Sequence, residues 1–275
     1  MPIICVSMEL GALSKEVTQG VSRELGVRPV YPELLDGAAR RMGAPFERIK
    51  NVVEGRAGHL AQRQLPEEDL KIFVGAEITA VAAQDNVAFR GWGAEQLFRT
   101  IPQVASIRVT APFEHRVRNL MEQLDCDDRD EIVRAMKRSD AAYASALYRS
   151  GPDHEAHHLV VNTERCTIEH SVQQIVALLD HPQFRQTEES LKMMTDIALE
   201  AAVKAALRHT EATSTTDVWV RAVDGSVWLE GMVDTDEQRS AVAAVAASQT
   251  GVERVYNMLR PMKEKQHFVR IAANF

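Results

Sequence analysis

The sequence predicts an α/β protein: a parallel sheet with helices on both faces, followed by a small α+β module. Three observations carry this. Short apolar runs alternate with stretches of helical period up to about residue 180. A polar, proline-containing stretch, His181–Ser190, then breaks that alternation. Beyond it, two segments of period two flank an Asp224-Gly225 pair, with alanine-rich helical stretches before and after.

In chain order, Ile3–Ser7 is a continuous apolar run suited to a buried parallel strand. A compact turn follows, and Val17, Val21 and Leu25 mark one face of a helix over Lys15–Leu25. Pro32–Met42 reads as a helix, with a proline in its first turn and Gly43 past its end. Pro45–Gln64 and Pro66–Ala83 also read as helices. The second opens on Glu67, Glu68 and Asp69, where the helix dipole favours acids. Asn86–Arg90 is a short strand closed by Gly91-Trp92-Gly93, and Ser106–Thr110 is another. Helices then cover Pro112–Leu124 and Asp127–Tyr148. Leu159–Asn162 is a strand and Ile168–Leu179 a helix. Strands separated by helices imply right-handed crossovers in one parallel sheet. The second module reads helix (Leu191–His209), hairpin (Asp217–Arg221 and Ser226–Glu230), helix (Thr235–Thr250), strand (Val252–Leu259). The expected division is 1–180, a linker over 181–190, a module over 191–262 and a basic tail over 263–275.

The chain has 275 residues, 45% of them hydrophobic, enough for one large core or two smaller ones. Lysine and arginine number 32 against 39 acids, a net charge of −7. That balance excludes broad nucleic-acid binding, which needs cations to replace counterions. No apolar run approaches a membrane span, and the N-terminus lacks a basic-then-apolar leader, so a cytoplasmic location is expected. Cys5, Cys126 and Cys166 are far apart and odd in number, which argues for reduced thiols, with Cys5 a core residue. No metal site is expected. The His154, His157 and His158 cluster suits a loop before a strand, and the acids Asp125–Asp130 lack the glycine of a calcium loop.

The stretch from Cys5 to Gly26 carries the sharpest chemistry. Strand, tight loop and helix N-terminus is an anion-binding layout, because the helix dipole and unpaired N–H groups face the ligand. The usual phosphate-loop spacing is G-x-x-x-x-G-K-[ST]. Here Lys15 holds the lysine slot. Glu9 and Ser14 stand at the glycine slots, and Glu16 replaces the magnesium-binding hydroxyl. An ordinary strand-to-helix turn with Ser14 as N-cap is the alternative reading of the same residues.

Residues 1 to about 180 resemble the cytidylate-kinase-like family of P-loop nucleoside monophosphate kinases. The resemblance rests on the N-terminal strand, loop and helix, on PQVASIRVTAPFEHRVRNLMEQ (Pro102–Gln123), on the charged helix ending in RSDAAY, and on HHLVVNTERCTIEHSVQQIV (His157–Val176). It implies a P-loop kinase-like fold and nucleotide binding by Gly11, Ala12, Leu13, Ser14, Lys15, Glu16, Arg90, Trp92, Lys137 and Asp140. It also implies that Lys15, Arg116, Arg134 and Arg138 act on the phosphates, with ATP and Mg²⁺ as cofactors if the enzyme is active. Arg134, Lys137 and Arg138 share one helical face at the three- and four-residue spacing. Departures from the family pattern are Leu13 and Ser14 in place of a glycine pair, Trp92 in place of an arginine, His158 in place of an aspartate, and Tyr143 in place of an arginine. Trp92 either stacks on a base or caps the core.

Residues from about 191 to 262 resemble a BON module, on DVWVRAVDGSVWLEGMVDTDEQRSAVAAVAASQTGVERVYNML with Gly225, Gly231, Gly251 and Asn257. That resemblance implies interaction with a protein or an anionic surface and no catalytic residues. Trp219 and Trp228 on its hairpin are expected as sheet packing, or as a contact patch if both prove exposed on one face. The joint expectation is a nucleotide-binding protein with weak or no kinase activity that senses or scaffolds through its BON module. The alternative is an active ATP-dependent pyrimidine monophosphate kinase.

Overall fold

The structure is a computed structural model in which residues 2–7, 9–31, 33–53, 65–84, 86–91, 93–145 and 157–262 are described. The chain divides into two compact units, Met1–Met194 and Thr195–Phe275.

The first unit is built on five parallel strands in the order β2-β3-β1-β4-β5. These are β1 (Ile3–Ser7), β2 (Arg28–Val30), β3 (Val87–Arg90), β4 (Val104–Thr110) and β5 (Leu159–Asn162). β1 lies at the centre and every one of its residues is buried. Its register places Cys5 between Phe89 of β3 and Ser106 of β4. A strand covered on both faces must be apolar throughout, which explains the run IICVS. The helices of this unit are α1 (Ser14–Leu25), α2 (Glu33–Met42), α3 (Phe46–Val53), α4 (Glu67–Ala82), α5 (Ala94–Leu97), α6 (Phe113–Leu124), α7 (Arg129–Ser145) and α8 (Ile168–Leu179). One core cluster joins Ile4 and Val6 of β1, Val17 and Val21 of α1, Ile107 and Val109 of β4 and Ile175 of α8.

Most element boundaries match the sequence expectation within one to three residues. β2, α5 and a two-residue strand, β9 (Arg260–Pro261), have no counterpart in that expectation. Pro29 sits in β2 at the sheet edge, where a missing N–H costs no ladder bond. Pro32, the outer part of the stretch expected as a helix over Pro45–Gln64, and 146–148 lie outside the described residues. Within the segment expected as a linker, Pro182–Phe184 forms a single 3₁₀ turn. Phe184 joins the core above, and the Ser190 hydroxyl donates to Gln103 Oε1 at 2.5 Å.

The second unit contains a smaller mixed sheet. β6 (Val218–Val223) and β7 (Ser226–Val233) are antiparallel, β8 (Arg254–Asn257) pairs parallel to β7, and β9 extends beside β7. Asp224 and Gly225 form the two-residue hairpin loop with φ of 45° and 73°, the type I′ geometry that matches strand twist. α9 (Glu188–His209) and α10 (Asp236–Ala247) supply Leu199, Val203, Leu207, Val242 and Ala246 to the core on one sheet face. Thr235 caps α10 by accepting from Gln238 N at 3.2 Å, and Gln238 Oε1 accepts from Asp234 N at 2.8 Å. Asn257 ties β8 to α10 through Arg239 O at 3.1 Å.

Candidate functional site

The C-terminal edge of a parallel sheet collects the loops that carry function in α/β proteins. Here that edge gathers the loop after β1, the ends of β3 and β4, and the first turns of α1 and α6. The loop turns at Glu9–Ala12, where Ala12 N donates to Glu9 O at 3.0 Å. Gly11 takes φ +81°, the value a type II turn requires at its third residue. A Cβ there would stand closer than 3.0 Å to Arg116 O, so the first turn of α6 rests directly on this glycine. Asn119 Nδ2 donates to Gly11 O at 2.9 Å, and Thr163 Oγ1 donates to Ala12 O at 3.1 Å. The loop is therefore held from α6 and from the end of β5.

Leu13 caps α1 in the left-handed conformation, φ 60° and ψ 25°, without a side-chain cap bond. For a leucine this costs roughly 1–2 kcal/mol. The expected cap, Ser14, is instead the first helical residue and is buried; its carbonyl accepts from Thr18 Oγ1 at 2.7 Å. Lys15 is exposed in the first turn of α1, and among the described residues it makes no ion pair. Glu16 Oε1 accepts from Gln123 Nε2 at 3.1 Å, joining α1 to α6.

Behind the loop lies a partly buried charge network. Glu9 Oε1 accepts from Arg108 Nη2 at 2.5 Å, and Glu9 Oε2 accepts from Thr110 Oγ1 at 2.9 Å. Arg116 Nη1 lies 3.5 Å from Glu9 Oε2. The same guanidinium donates from both terminal nitrogens to the two carboxylate oxygens of Asp140, at 3.1 and 2.5 Å. The side chains of Arg116, Arg108 and Glu9 are 6%, 12% and 17% exposed, so these charges meet largely out of water. The bidentate arginine–carboxylate pair is directional, and its Asp140 end is 41% exposed. Burial raises the Asp140 pKa and Glu9 adds to the rise, while Arg116 opposes it.

Arg90, at the end of β3, places its guanidinium 3.8 Å from the centre of the Tyr31 ring. Burial lowers its pKa, and Tyr31 and Glu16 oppose the shift. Arg134, Lys137 and Arg138 are all exposed on α7. Trp92 and His154 lie outside the described residues, as does the side chain of Tyr143. His158 serves the backbone: its N–H donates to Ser106 O at 2.8 Å, and its Nδ1 accepts from Ser106 N at 3.0 Å.

The structure thus joins Arg116, Asp140 and the loop, and it adds Arg108, Thr110, Asn119 and Gln123, which the sequence pattern did not single out. The signal for Arg108 was present. A charge at the centre of SIRVT, in a strand otherwise apolar enough to be buried on both faces, has to find a buried partner.

In the second unit, alternation along the strands puts Trp219 and Arg221 of β6, Trp228 and Glu230 of β7 and Arg254 and Tyr256 of β8 on the face opposite the helices. Trp228 stacks on Tyr256 with ring centres 5.0 Å apart and planes 14° apart. Trp219 is 54% exposed and Trp228 is half-buried, and Tyr256 and Met232 on this side are exposed as well.

No functionally curated protein matches the chain. Among solved structures, an uncharacterized protein from Eubacterium ventriosum is 14% identical, with a TM-score of 0.49 over 66% of this chain and 99% of that one. Shikimate kinase from Bacteroides thetaiotaomicron is 17% identical, TM-score 0.41, covering 66% of this chain and 99% of its own. The shikimate kinase of Acinetobacter baumannii, solved with shikimate, is 15% identical, TM-score 0.39, covering 65% and 93%. Among the described residues no helix is long and apolar enough to cross a membrane. A sequence profile of the BON domain matches residues 195–260. The profile of the cytidylate kinase-like family matches residues 3–165, more than half of the chain, and the protein belongs to that family.

Proposed function

We propose that the N-terminal domain is a nucleotide-binding fold that has lost efficient phosphoryl transfer, and that the chain acts as a sensing or interaction module through its BON domain. The observation that carries this reading is the loop after β1. Its lysine stays at the head of α1, while the glycine slots hold Glu9 and Ser14 and the magnesium-hydroxyl slot holds Glu16. Phosphoryl transfer rests on positioning and on cations free to meet the transferring group. On this reading the loop is poorly arranged for productive magnesium–ATP, the cofactors an active enzyme of this family would use. Glu9 brings a carboxylate to the loop, Arg116 is already bound by two carboxylates, and Glu16 is engaged by Gln123. A cation withheld from the phosphate in this way takes about 3 kcal/mol from transition-state stabilisation, on the scale of an oxyanion donor. Two such deficits reduce turnover by several orders of magnitude.

On this reading Lys15 and the α1 N-terminus keep residual affinity for a nucleotide phosphate. The exposed aromatic and methionine side chains of the second sheet form the docking surface for a partner. The domains proposed to do this are 1–180 and 191–262, joined through 181–190.

The test is a turnover assay on the full chain with ATP, Mg²⁺ and each pyrimidine monophosphate in turn. The expected result is product at the level of a protein-free blank. Turnover above about 1 s⁻¹, within the ordinary enzyme range, and lost in Lys15→Ala, would establish the active kinase instead.

A further inference from the structure

We propose that the Glu9 carboxylate is a tethered anion that fills an oxyanion subsite from within, so that neutralising it opens the loop to a diphosphate. This rests on the non-transferring reading above and names what keeps the site closed.

The donors around Glu9 form a set suited to an oxyanion. Arg108 Nη2, Thr110 Oγ1 and Arg116 Nη1 all point at one carboxylate, at 2.5, 2.9 and 3.5 Å. Two guanidiniums and a hydroxyl recognise a phosphate or sulfate group through the same planar, charge-assisted bonds. Among the described residues, Arg108 Nε is a further buried donor with no acceptor, so the carboxylate does not exhaust the set. An acid with two oxygens on one carbon leaves such a donor unused, where a tetrahedral group with more oxygens can engage it. The set also stands in the right place. Glu9 belongs to the loop after β1, and Arg116 rises from the turn of α6 that packs on Gly11. A covalently attached anion competes at a high effective concentration. Taking the charge away leaves two largely buried guanidiniums with Asp140 as the remaining carboxylate, a state that draws in an external anion.

The experiment compares wild type, Glu9→Gln and Glu9→Asp, titrated with inorganic pyrophosphate, sulfate and ATP without magnesium. Calorimetry gives the affinity and thermal unfolding gives the protection. Glu9→Gln is expected to bind pyrophosphate at least about tenfold tighter than wild type and to recover its lost melting temperature as the anion is added. Glu9→Asp keeps the charge but draws it back by one methylene, and is expected between the two. Should Glu9→Gln fail to fold, the order of Glu9→Asp and wild type decides. Equal affinity of wild type and the folded variants for every anion overturns the proposal. Pyrophosphate and sulfate binding without ATP binding assigns the subsite to small oxyanions, and ATP binding as well extends it to the nucleotide. Turnover by wild type in the separate assay would sink the non-transferring reading and leave the affinity comparison to be read on its own.

Discussion

Gly11 is the residue on which the geometry of the loop turns. Its φ of +81° is open to glycine and strained for any L side chain, and its missing Cβ leaves room for Arg116 O, which would otherwise overlap it. Gly11→Ala is expected to destabilise the first unit by about 2–4 kcal/mol, combining left-handed strain with overpacking against backbone. Chemical denaturation measures this, and a loss under about 1 kcal/mol would mean that α6 yields easily. Leu13, two residues on, holds φ 60° with no such excuse of space, so strain is stored where the helix begins. The fold tolerates it because Asn119 and Thr163 hold the preceding carbonyls of Gly11 and Ala12.

At the level of elements, Arg116 of α6 and Asp140 of α7 tie the two helices together beside the loop. Two opposing effects act on that carboxyl. Burial, the larger influence, and Glu9 disfavour its charge, while Arg116 favours it, and the pKa rises above the usual 3.8. A carboxyl whose pKa is raised on folding binds its proton more tightly in the folded state. Its contribution to stability is therefore lost as pH climbs from about 3.8 through the raised value. Wild type is expected to lose stability relative to Asp140→Asn across that window, measured by denaturation at a series of pH values. A gain by wild type instead would show that pairing with Arg116 outweighs burial. On the same helix, Arg134, Lys137 and Arg138 are exposed and stay available to solvent anions.

On the scale of the molecule, the two units keep separate apolar clusters, those of the first around β1 and between α6 and α7, that of the second beneath the β6–β7 hairpin. Cys5 reports on the first. It lies in the central strand, 1% exposed, and burial, with Glu95 adding, raises its thiol pKa well above the ordinary range. Cys126 and Cys166 are only partly buried. A thiol reagent is expected to label Cys126 and Cys166 in the native protein, and Cys5 at the rate of global opening of the first unit. Mass spectrometry of labelled peptides follows this, and rapid native labelling of Cys5 would show that the central strand opens locally.

Periodicity and turn chemistry act over a few neighbouring residues, and they were enough to specify most of the architecture. The order and type of nearly every element, the parallel sheet, the hairpin at Asp224-Gly225 and the place of the loop at the head of α1 were all legible in the chain. So were the anomalies, Glu9 in a glycine slot and Arg108 inside a buried strand, but not that they answer each other. That partnership exists only in the folded molecule, because the two residues are 99 positions apart and meet through the pairing of β1 with β4. The short edge strand at Arg28–Val30 was likewise hidden, since its ladder bonds come from β3 and its own text, with Pro29 at the middle, argues against a strand. Local pattern fixes where the chain turns, whereas electrostatic partnership depends on which turns the fold brings side by side.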